Sequence, residues 1–310
     1  MIDLILHHYD GSPFSEKVRL VLGLKGLTWR SVQVPRIMPK PDVVALTGGY
    51  RRTPFLQIGA DIYCDTALMC RVVDALHPKP QLYPHEASPL QHIVAQWADS
   101  ALFWSAVPFT LQPAGIAFIF EGAPPEAVKA FAADRAAMTQ GMRRATTADA
   151  RAQLLIYLTW LEGMLADGRK FLLGAAPCIA DFSVVQSLWF ILRAPPVAVI
   201  LEPFKRLEAW RRSVAAIGHG TPQPMTGAEA IALAAATSSF APCAVAPDAG
   251  FAADSAVTVC ATDYATDLVS GQLVGLNRDE VVIERRDPRA GTLHVHFPRI
   301  GFQVKPEVQE

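Results

Sequence analysis

The stretch Ser12-Pro13-Phe14-Ser15-Glu16-Lys17-Val18-Arg19 decides how the N-terminal part of the chain folds. It follows a short apolar run at 4–6 and predicts the start of a helix, because Ser12 is a favourable N-cap and Pro13 suits the first helical position. Apolar side chains recur on one face of that helix, at Phe14, Val18, Val21 and Leu22. The hydroxyl of Ser12 therefore lies at the positive end of a helix, where anions and thiolates are stabilised. The alternative interpretation is that Ser12 serves only as a cap.

The overall composition indicates a globular protein of two or three domains. The chain has 310 residues, of which 51% are hydrophobic and 18% charged, so it can bury a sizeable core. Its 28 basic and 29 acidic residues give a net charge of −1, which argues against nucleic acid or an anionic membrane as the main partner.

The cysteines favour a reducing compartment, and we expect the cytoplasm. The five of them form no Cys-x-x-Cys pair, which predicts neither a disulfide framework nor a zinc cluster; they are Cys64, Cys70, Cys178, Cys243 and Cys260. The N-terminus lacks a basic leader, so we expect no signal peptide. The longest apolar region, 182–201, is interrupted by Arg193 and two prolines and is not expected to span a membrane.

The first 80 residues predict a small mixed sheet with helices on its faces. Strands are expected at 28–34, 53–58 and 61–64, with a two-residue Gly59-Ala60 hairpin between the last two. A short helix is expected at 42–46, and a longer one begins at Asp65-Thr66.

Two dipeptides in this segment suggest ligand contacts. If the Thr53-Pro54 bond is cis, the backbone of Thr53 faces outward and a peptide-like ligand can add to it as an extra strand. Asp65-Thr66 either caps the next helix or clamps an amino acid. In the clamp, Thr66 and the helix N–H groups take a carboxylate, and Asp65 takes an ammonium group.

Residues 1–80, taken in order, resemble the N-terminal thioredoxin-like domain of the glutathione transferase family, especially its serine-type tau and zeta classes. The chain has Asp65-Thr66 where the family usually has Glu-Ser, and Thr53-Pro54 where it usually has Val-Pro or Ile-Pro. The resemblance implies that Ser12 is the catalytic residue and donates a hydrogen bond to the thiolate of glutathione, the co-substrate. It also implies a set of glutathione-binding residues: Lys40 and Arg52 at the glycyl carboxylate, Thr53 and Pro54 at the cysteinyl unit, Asp65 and Thr66 at the γ-glutamyl end.

Energetically, one hydroxyl at one helix N-terminus is sufficient for this chemistry. A free thiol has a pKa of about 8.5, and lowering it by roughly two units needs about 2.7 kcal/mol. A hydrogen bond to a charged group contributes roughly 1.5–3 kcal/mol, and the helix N-terminus adds roughly 0.3–2 kcal/mol.

Other candidates for the key residue are weaker. Without a cysteine at Ser12 or Ser15, dithiol exchange is excluded. Tyr9 is an alternative hydroxyl, since other transferase classes use a tyrosine near the end of the first strand. His7 and His8 show no metal-ligand spacing around them and are expected to be structural.

Residues 88–218 predict an all-α domain. A capping box at Ser88 begins its first helix, and the expected helices are 88–107, 125–142, 149–167, 179–193 and 203–216. Ile179-Ala180-Asp181-Phe182 resembles the buried capping motif of the family's C-terminal domain, with Cys178 in place of Ser or Thr. The resemblance implies that the electrophile lies between the two domains, near aromatic residues of the first helices. The segment 108–125, rich in Pro and Gly, is expected to be a mobile flap.

The resemblance ends near Gly218. After a linker at 218–227, the segment 225–310 predicts a short helix at 228–236 and strands at 256–261, 269–276, 280–285 and 292–297. We expect a small mostly-β module of the SH3-like barrel type.

The predicted function is a glutathione transferase that acts on a small apolar electrophile in detoxification, works as a homodimer and binds neither nucleic acid nor membrane. Two alternatives remain open. One is a non-catalytic glutathione-binding scaffold with the β-rich segment as its interaction module. The other is a zeta-like isomerase of a small unsaturated diacid, which favours basic residues around the acceptor site; Lys17 and Arg19 are too common to decide it.

Overall fold

The computed structural model describes residues 3–87 and 89–307. The first segment forms the predicted sequence of strands and helices: β1 (Ile5–His8), α1 (Pro13–Leu24), β2 (Thr28–Gln33), α2 (Pro41–Thr47), β3 (Phe55–Ile58), β4 (Asp61–Cys64) and α3 (Thr66–Leu76). Strand β1 pairs parallel with β2 and antiparallel with β3, and the β3–β4 hairpin turns at Gly59-Ala60. The thioredoxin-like arrangement expected from the sequence is confirmed.

The second segment consists of helices and the loops that join them, with no strand longer than an isolated bridge among its described residues. Its elements are α4 (Leu90–Trp97), a π-helical turn (Ala98–Leu102), α5 (Phe103–Thr110), α6 (Pro113–Ile119), α7 (Pro125–Met138), α8 (Thr147–Met164), α9 (Ile179–Leu192), α10 (Pro195–Ala198) and α11 (Lys205–Ala215). The capping residue predicted at Ser88 lies outside the described residues. The segment expected to be a flap contains the end of α5 and the whole of α6.

The buried carboxylate of Asp181 organises the centre of this helical domain. It accepts hydrogen bonds from the backbone N–H groups of Leu172 and Cys178, both at 2.9 Å, and from the indole N–H of Trp210 at 2.7 Å. The capping role predicted for Asp181 is therefore confirmed, with Cys178 at the N-cap position.

The third segment adds β5 (Thr221–Pro224), α12 (Gly227–Ala235), β6 (Ala256–Ala261), β7 (Val269–Leu276), β8 (Glu280–Asp287), β9 (Gly291–Pro298) and β10 (Phe302–Pro306). These strands continue the first sheet. All ten strands form one sheet in the order β10-β6-β7-β8-β9-β4-β3-β1-β2-β5. The expected mostly-β module is confirmed as β6–β10, but it is not a separate unit, because β9 pairs with β4 of the first segment; the SH3-like barrel stays a prediction.

Both edges of the first-segment sheet are covered by residues that follow Gly218. Strand β9 runs parallel to β4, and β5 runs parallel to β2. The linker expected at 218–227 therefore contains a strand. The prolines of β5 argue against a strand when the sequence is read alone. An edge strand nevertheless tolerates proline, because the N–H groups on its outer side need no partner in the sheet. Covering both edges removes unpaired backbone groups on which another chain could pair.

One hydrophobic core spans the first and third segments. Val43, Leu46 and Ile62 belong to the same buried cluster as Val257 and Leu293. A second cluster joins α1 and α3 to the helical domain. Among the described residues, no single helix has both the length and the apolar character needed to cross a membrane.

Candidate active site

A cavity of about 350 Å³ lies where all three segments meet. The first segment contributes α1, the loop before β3 and the start of α3, and the helical segment contributes α4 and the π-helical turn. The extension after Gly218 contributes the β6–β7 loop and the β9–β10 turn. The volume of the cavity is in the range of pockets that hold small ligands.

Five of the predicted glutathione-binding residues line this cavity, and Phe14 and Lys17 are among the other lining residues of the first segment. The five are Arg52, Thr53, Pro54, Asp65 and Thr66. The Thr53-Pro54 peptide bond is cis. Ser12 and Lys40 are not among the lining residues.

Ser12 forms the cap of α1 that its sequence predicts. Its Oγ accepts a hydrogen bond from the backbone N–H of Ser15 at 3.2 Å and donates one to the carbonyl oxygen of Thr53 at 3.3 Å. The residue is only 2% exposed. The hydroxyl therefore joins the start of α1 to the loop that carries Thr53.

Lys40 also holds the loop that carries Thr53, through two hydrogen bonds. Its Nζ donates to the carbonyl oxygen of Arg51 at 3.2 Å and to Oγ1 of Thr53 at 3.1 Å. Burial, together with the nearby guanidinium of Arg135, lowers the pKa of Lys40 to about 8. Both Ser12 and Lys40 thus act on the position of Thr53.

Asp65 occupies a backbone conformation that is uncommon for a residue with a side chain. Its φ is 73° and its ψ is 135°, and its carboxylate caps α3 by accepting from the backbone N–H of Ala67 at 2.8 Å. Thr66 follows as the first residue of the helix and is buried. Residues held in sparsely populated backbone regions cluster at ligand sites, where the surrounding structure maintains the strain.

Arg52 is bound to the extension. Its guanidinium donates to the Asp263 carboxylate and to the carbonyl oxygen of Tyr264, and it stacks on the Tyr264 ring at 3.8 Å from the centroid. Tyr264 also contacts the ring of Trp104 in the helical domain at 5.1 Å. Burial raises the pKa of Tyr264 to about 12, so the phenol is neutral near pH 7.

The β6–β7 loop thus joins the first segment to the helical segment at the cavity wall. Besides the contacts of Tyr264, the backbone N–H of Ala265 donates to the carbonyl oxygen of Met138 at 2.7 Å. Sequence reasoning missed Asp263 and Tyr264, because nothing in their local sequence indicates that the loop reaches Arg52.

The basic residues Lys17 and Arg19 are both paired internally. Lys17 Nζ lies 2.5 Å from the Asp99 carboxylate, which also accepts from Gln186 at 2.7 Å. Burial acts to lower the pKa of Lys17, but Asp99 outweighs it and the pKa is raised. Arg19 pairs with Glu16 at 2.7 Å. The basic acceptor site that an isomerase of a diacid favours does not arise from these two side chains.

The remaining candidates are buried in β1. Nε2 of His7 lies 2.8 Å from the Gln57 side-chain oxygen, and Nε2 of His8 lies 2.9 Å from Oγ of Ser31. Burial lowers the pKa of both imidazoles to about 4, which keeps them neutral near pH 7. The expected structural role of both residues agrees with these contacts.

Comparison with known proteins places this fold in a class. The sequence profile of the glutathione S-transferase N-terminal domain matches residues 6–81, and that of the C-terminal domain matches residues 142–213. A solved GST-like protein from Pseudomonas syringae is 42% identical, with a TM-score of 0.80, over 99% of this chain and all of the other. A search of curated sequences gave no match.

More distant structures share the fold over a smaller part of this chain. A glutathione S-transferase from Rhodospirillum rubrum F11 is 19% identical with a TM-score of 0.53, over 69% of this chain and 88% of its own. Glutathione transferase GSTFuA3 from Phanerochaete chrysosporium is 17% identical with a TM-score of 0.55, over 69% and 97%.

The thioredoxin-like domain joined to a helical domain therefore defines the glutathione transferase class. The chain belongs to the glutathione S-transferase family.

Proposed function

We propose that the cavity binds glutathione and that the protein transfers its thiolate to a small apolar electrophile. The observation that carries this proposal is the convergence of Thr53, Asp65 and Thr66 on one cavity beside the start of α1. The backbone of Thr53 pairs with the cysteinyl unit, since its N–H makes no hydrogen bond within residues 3–87 and 89–307. The start of α3 takes the γ-glutamyl carboxylate, and Asp65 takes the ammonium group.

Ser12 is the proposed donor to the glutathione thiolate. Its hydroxyl donates to the carbonyl of Thr53, and rotation about the Cβ–Oγ bond redirects that proton to a sulfur held in the cysteinyl position. The positive end of α1 adds to the stabilisation. Lys40 and Ser12 together keep the Thr53 loop in place for binding.

Arg52 is the proposed partner of the glycyl carboxylate. It now holds the Asp263 carboxylate, so binding exchanges one carboxylate for another on the same guanidinium. The electrophile then lies against apolar groups of the same cavity, Phe14 and Tyr264, so that the extension forms part of the acceptor wall. By family analogy we further propose a homodimer, and light scattering of the purified protein tests that state. The same analogy leads us to propose a cytoplasmic location and a role in detoxification.

Calorimetric titration with glutathione, followed by turnover of a chloronitrobenzene acceptor, tests the proposal. We expect Ser12→Ala to bind glutathione but to lose about 10- to 100-fold in kcat/KM, with the kinetic pKa of the thiol moving upward toward about 8.5. Ser15→Ala is the matched control, because its buried hydroxyl has no partner among the described residues. Absence of glutathione binding by the wild type contradicts the proposal.

The second candidate function is a glutathione-binding protein that does not turn over. The burial of Ser12 and the existing bond of its hydroxyl to Thr53 favour it. Retention on glutathione without turnover, unchanged in Ser12→Ala, supports this alternative. A further discriminating variant is Ser12→Cys, which forms a mixed disulfide with glutathione if this position faces the sulfur.

A further inference from the structure

A cluster of buried polar side chains lies where the extension joins the first sheet, apart from the cavity. It consists of Asp61 on β4 and His294 and His296 on β9, and all three residues are buried. The parallel β4–β9 pairing places Asp61 opposite His294, and the period of two along a strand brings both imidazoles to the same face. One potential ligand atom from each residue lies within 4.8 Å of the other two.

We propose that Asp61, His294 and His296 bind a divalent transition-metal ion, such as Zn²⁺, that fastens the extension to the transferase sheet. Oδ1 of Asp61 lies 2.8 Å from Nε2 of His296 and 4.0 Å from Nδ1 of His294. Ligand atoms of a tetrahedral Zn²⁺ with bonds of 2.0–2.1 Å are about 3.3 Å apart, so the two distances bracket that spacing. Imidazole and carboxylate are ligands that such ions accept.

An unpartnered nitrogen supports a metal rather than a simple ion pair. A hydrogen bond between Asp61 and His296 accounts for one imidazole, but Nδ1 of His294 is buried and has no hydrogen-bond partner among the described residues. His294 is only 8% exposed, and its Nδ1 faces the Asp61 carboxylate. Leaving a buried polar nitrogen unsatisfied costs free energy, and a bound cation removes that cost.

The outer neighbours of the cluster are those that metal-binding histidines use. Nε2 of His294 lies 3.6 Å from the Glu284 carboxylate, and Nδ1 of His296 lies 3.5 Å from the Glu280 carboxylate. Each imidazole therefore has a carboxylate at the nitrogen opposite the proposed metal, an arrangement that fixes ring orientation and increases ligand basicity. Both glutamates are partly exposed, which provides a route for the ion to enter.

Packing holds both rings in place. His294 stacks on Phe240 with centroids 3.9 Å apart, and His296 stacks on Tyr63 with centroids 4.3 Å apart. The second oxygen of Asp61 accepts from the backbone N–H of Ala241 at 2.9 Å, which fixes the carboxylate. Ligands held by their surroundings in this way form a preorganised site.

The test uses the full chain without an affinity tag, stripped with a chelator and then titrated with Zn²⁺. We expect one equivalent to bind with micromolar affinity or tighter, and Co²⁺ in its place to show the visible bands of tetrahedral coordination. His294→Gln and Asp61→Asn are each expected to weaken Zn²⁺ binding by roughly 100-fold, and Glu284→Gln by roughly 10-fold.

Two histidines outside the cluster provide matched controls. His7→Gln removes a buried strand imidazole, and His92→Gln removes an exposed one. Both are expected to bind Zn²⁺ as the wild type does. A wild type that binds far less than one equivalent overturns the proposal without any variant. Wild-type affinity in folded His294→Gln and Asp61→Asn, judged by circular dichroism, also overturns it.

Discussion

Two pairs of buried histidines lie on the same ten-stranded sheet, one in β1 and one in β9, and their surroundings differ. His7 and His8 are adjacent in sequence, point to opposite faces and contact Gln57 and Ser31. His294 and His296 are two residues apart and share one face with carboxylates. Spacing along the strand therefore decides whether two imidazoles converge on one point.

The partners set the protonation of each pair. Burial lowers the pKa of His7 and His8 to about 4, since their partners are neutral or, for Arg19 beside His8, positive. Burial lowers the pKa of His294, whereas for His296 the hydrogen bond to Asp61 and the nearby Glu280 carboxylate outweigh burial and raise the pKa. In β1 burial favours the neutral form of both imidazoles, whereas at the junction with the extension the carboxylates favour the charged form of His296.

The largest expected effect comes from removing the charged partner at the junction. In chelator-treated protein, Asp61→Ala leaves His296 and the backbone N–H of Ala241 without their shared acceptor. Breaking one side of a buried ion pair costs about 3–5 kcal/mol in the free energy of unfolding, which urea titration measures.

The matched change on β1 is Ser31→Ala, which removes a neutral partner of His8. We expect it to cost about 1 kcal/mol. If the two variants lose equal stability, the contrast between a charged junction and a neutral strand pair is wrong.

The next effect is a pH dependence that originates in β1. The folded-state pKa of His7 is about 4, below its ordinary value of 6.5, so the unfolded chain binds this proton first as the pH falls. The stability from neutral His7 is complete above about pH 6.5 and is lost progressively toward pH 4, by about 3 kcal/mol at most.

Urea midpoints between pH 7 and pH 5 measure this loss. His7→Gln is expected to flatten the profile, and His92→Gln serves as the control because that side chain is exposed. A profile in His7→Gln as steep as that of the wild type shows that His7 does not take up the proton on unfolding.

The sequence predicted the transferase part of the fold well because its signals are local. The N-cap at Ser12, the Gly59-Ala60 hairpin and the cap formed by Asp181 on the backbone N–H of Cys178 depend on neighbours within a few residues. The same holds for Thr53, Asp65 and Thr66, whose dipeptides indicated ligand contacts and which line one cavity.

Contacts between distant parts of the chain could not be predicted in this way. The β4–β9 pairing joins strands more than 200 residues apart, and the alternating pattern of β9 fits a separate barrel as well as an extended sheet. The contact between Arg52 and Asp263 could not be predicted for the same reason, because the two residues are far apart in the sequence and no local pattern links them. The His-x-His pattern at 294–296 is a signal that was present in the sequence, since alternation puts both rings on one face of a strand.

The smallest expected effect concerns the carboxylate of Asp263 at the cavity, which is much more exposed than that of Asp61. The Asp263 side chain is 48% exposed, so its pair with Arg52 contributes little after solvent screening, about 0.2–1 kcal/mol. If Asp263 competes with the glycyl carboxylate of glutathione for Arg52, then Asp263→Asn tightens glutathione binding by about 1.4- to five-fold, the same energy expressed as affinity. Calorimetry measures the change, with Asp267→Asn, an exposed carboxylate of the same loop, as the control. Weaker or unchanged binding in Asp263→Asn shows that this carboxylate does not compete with glutathione for Arg52.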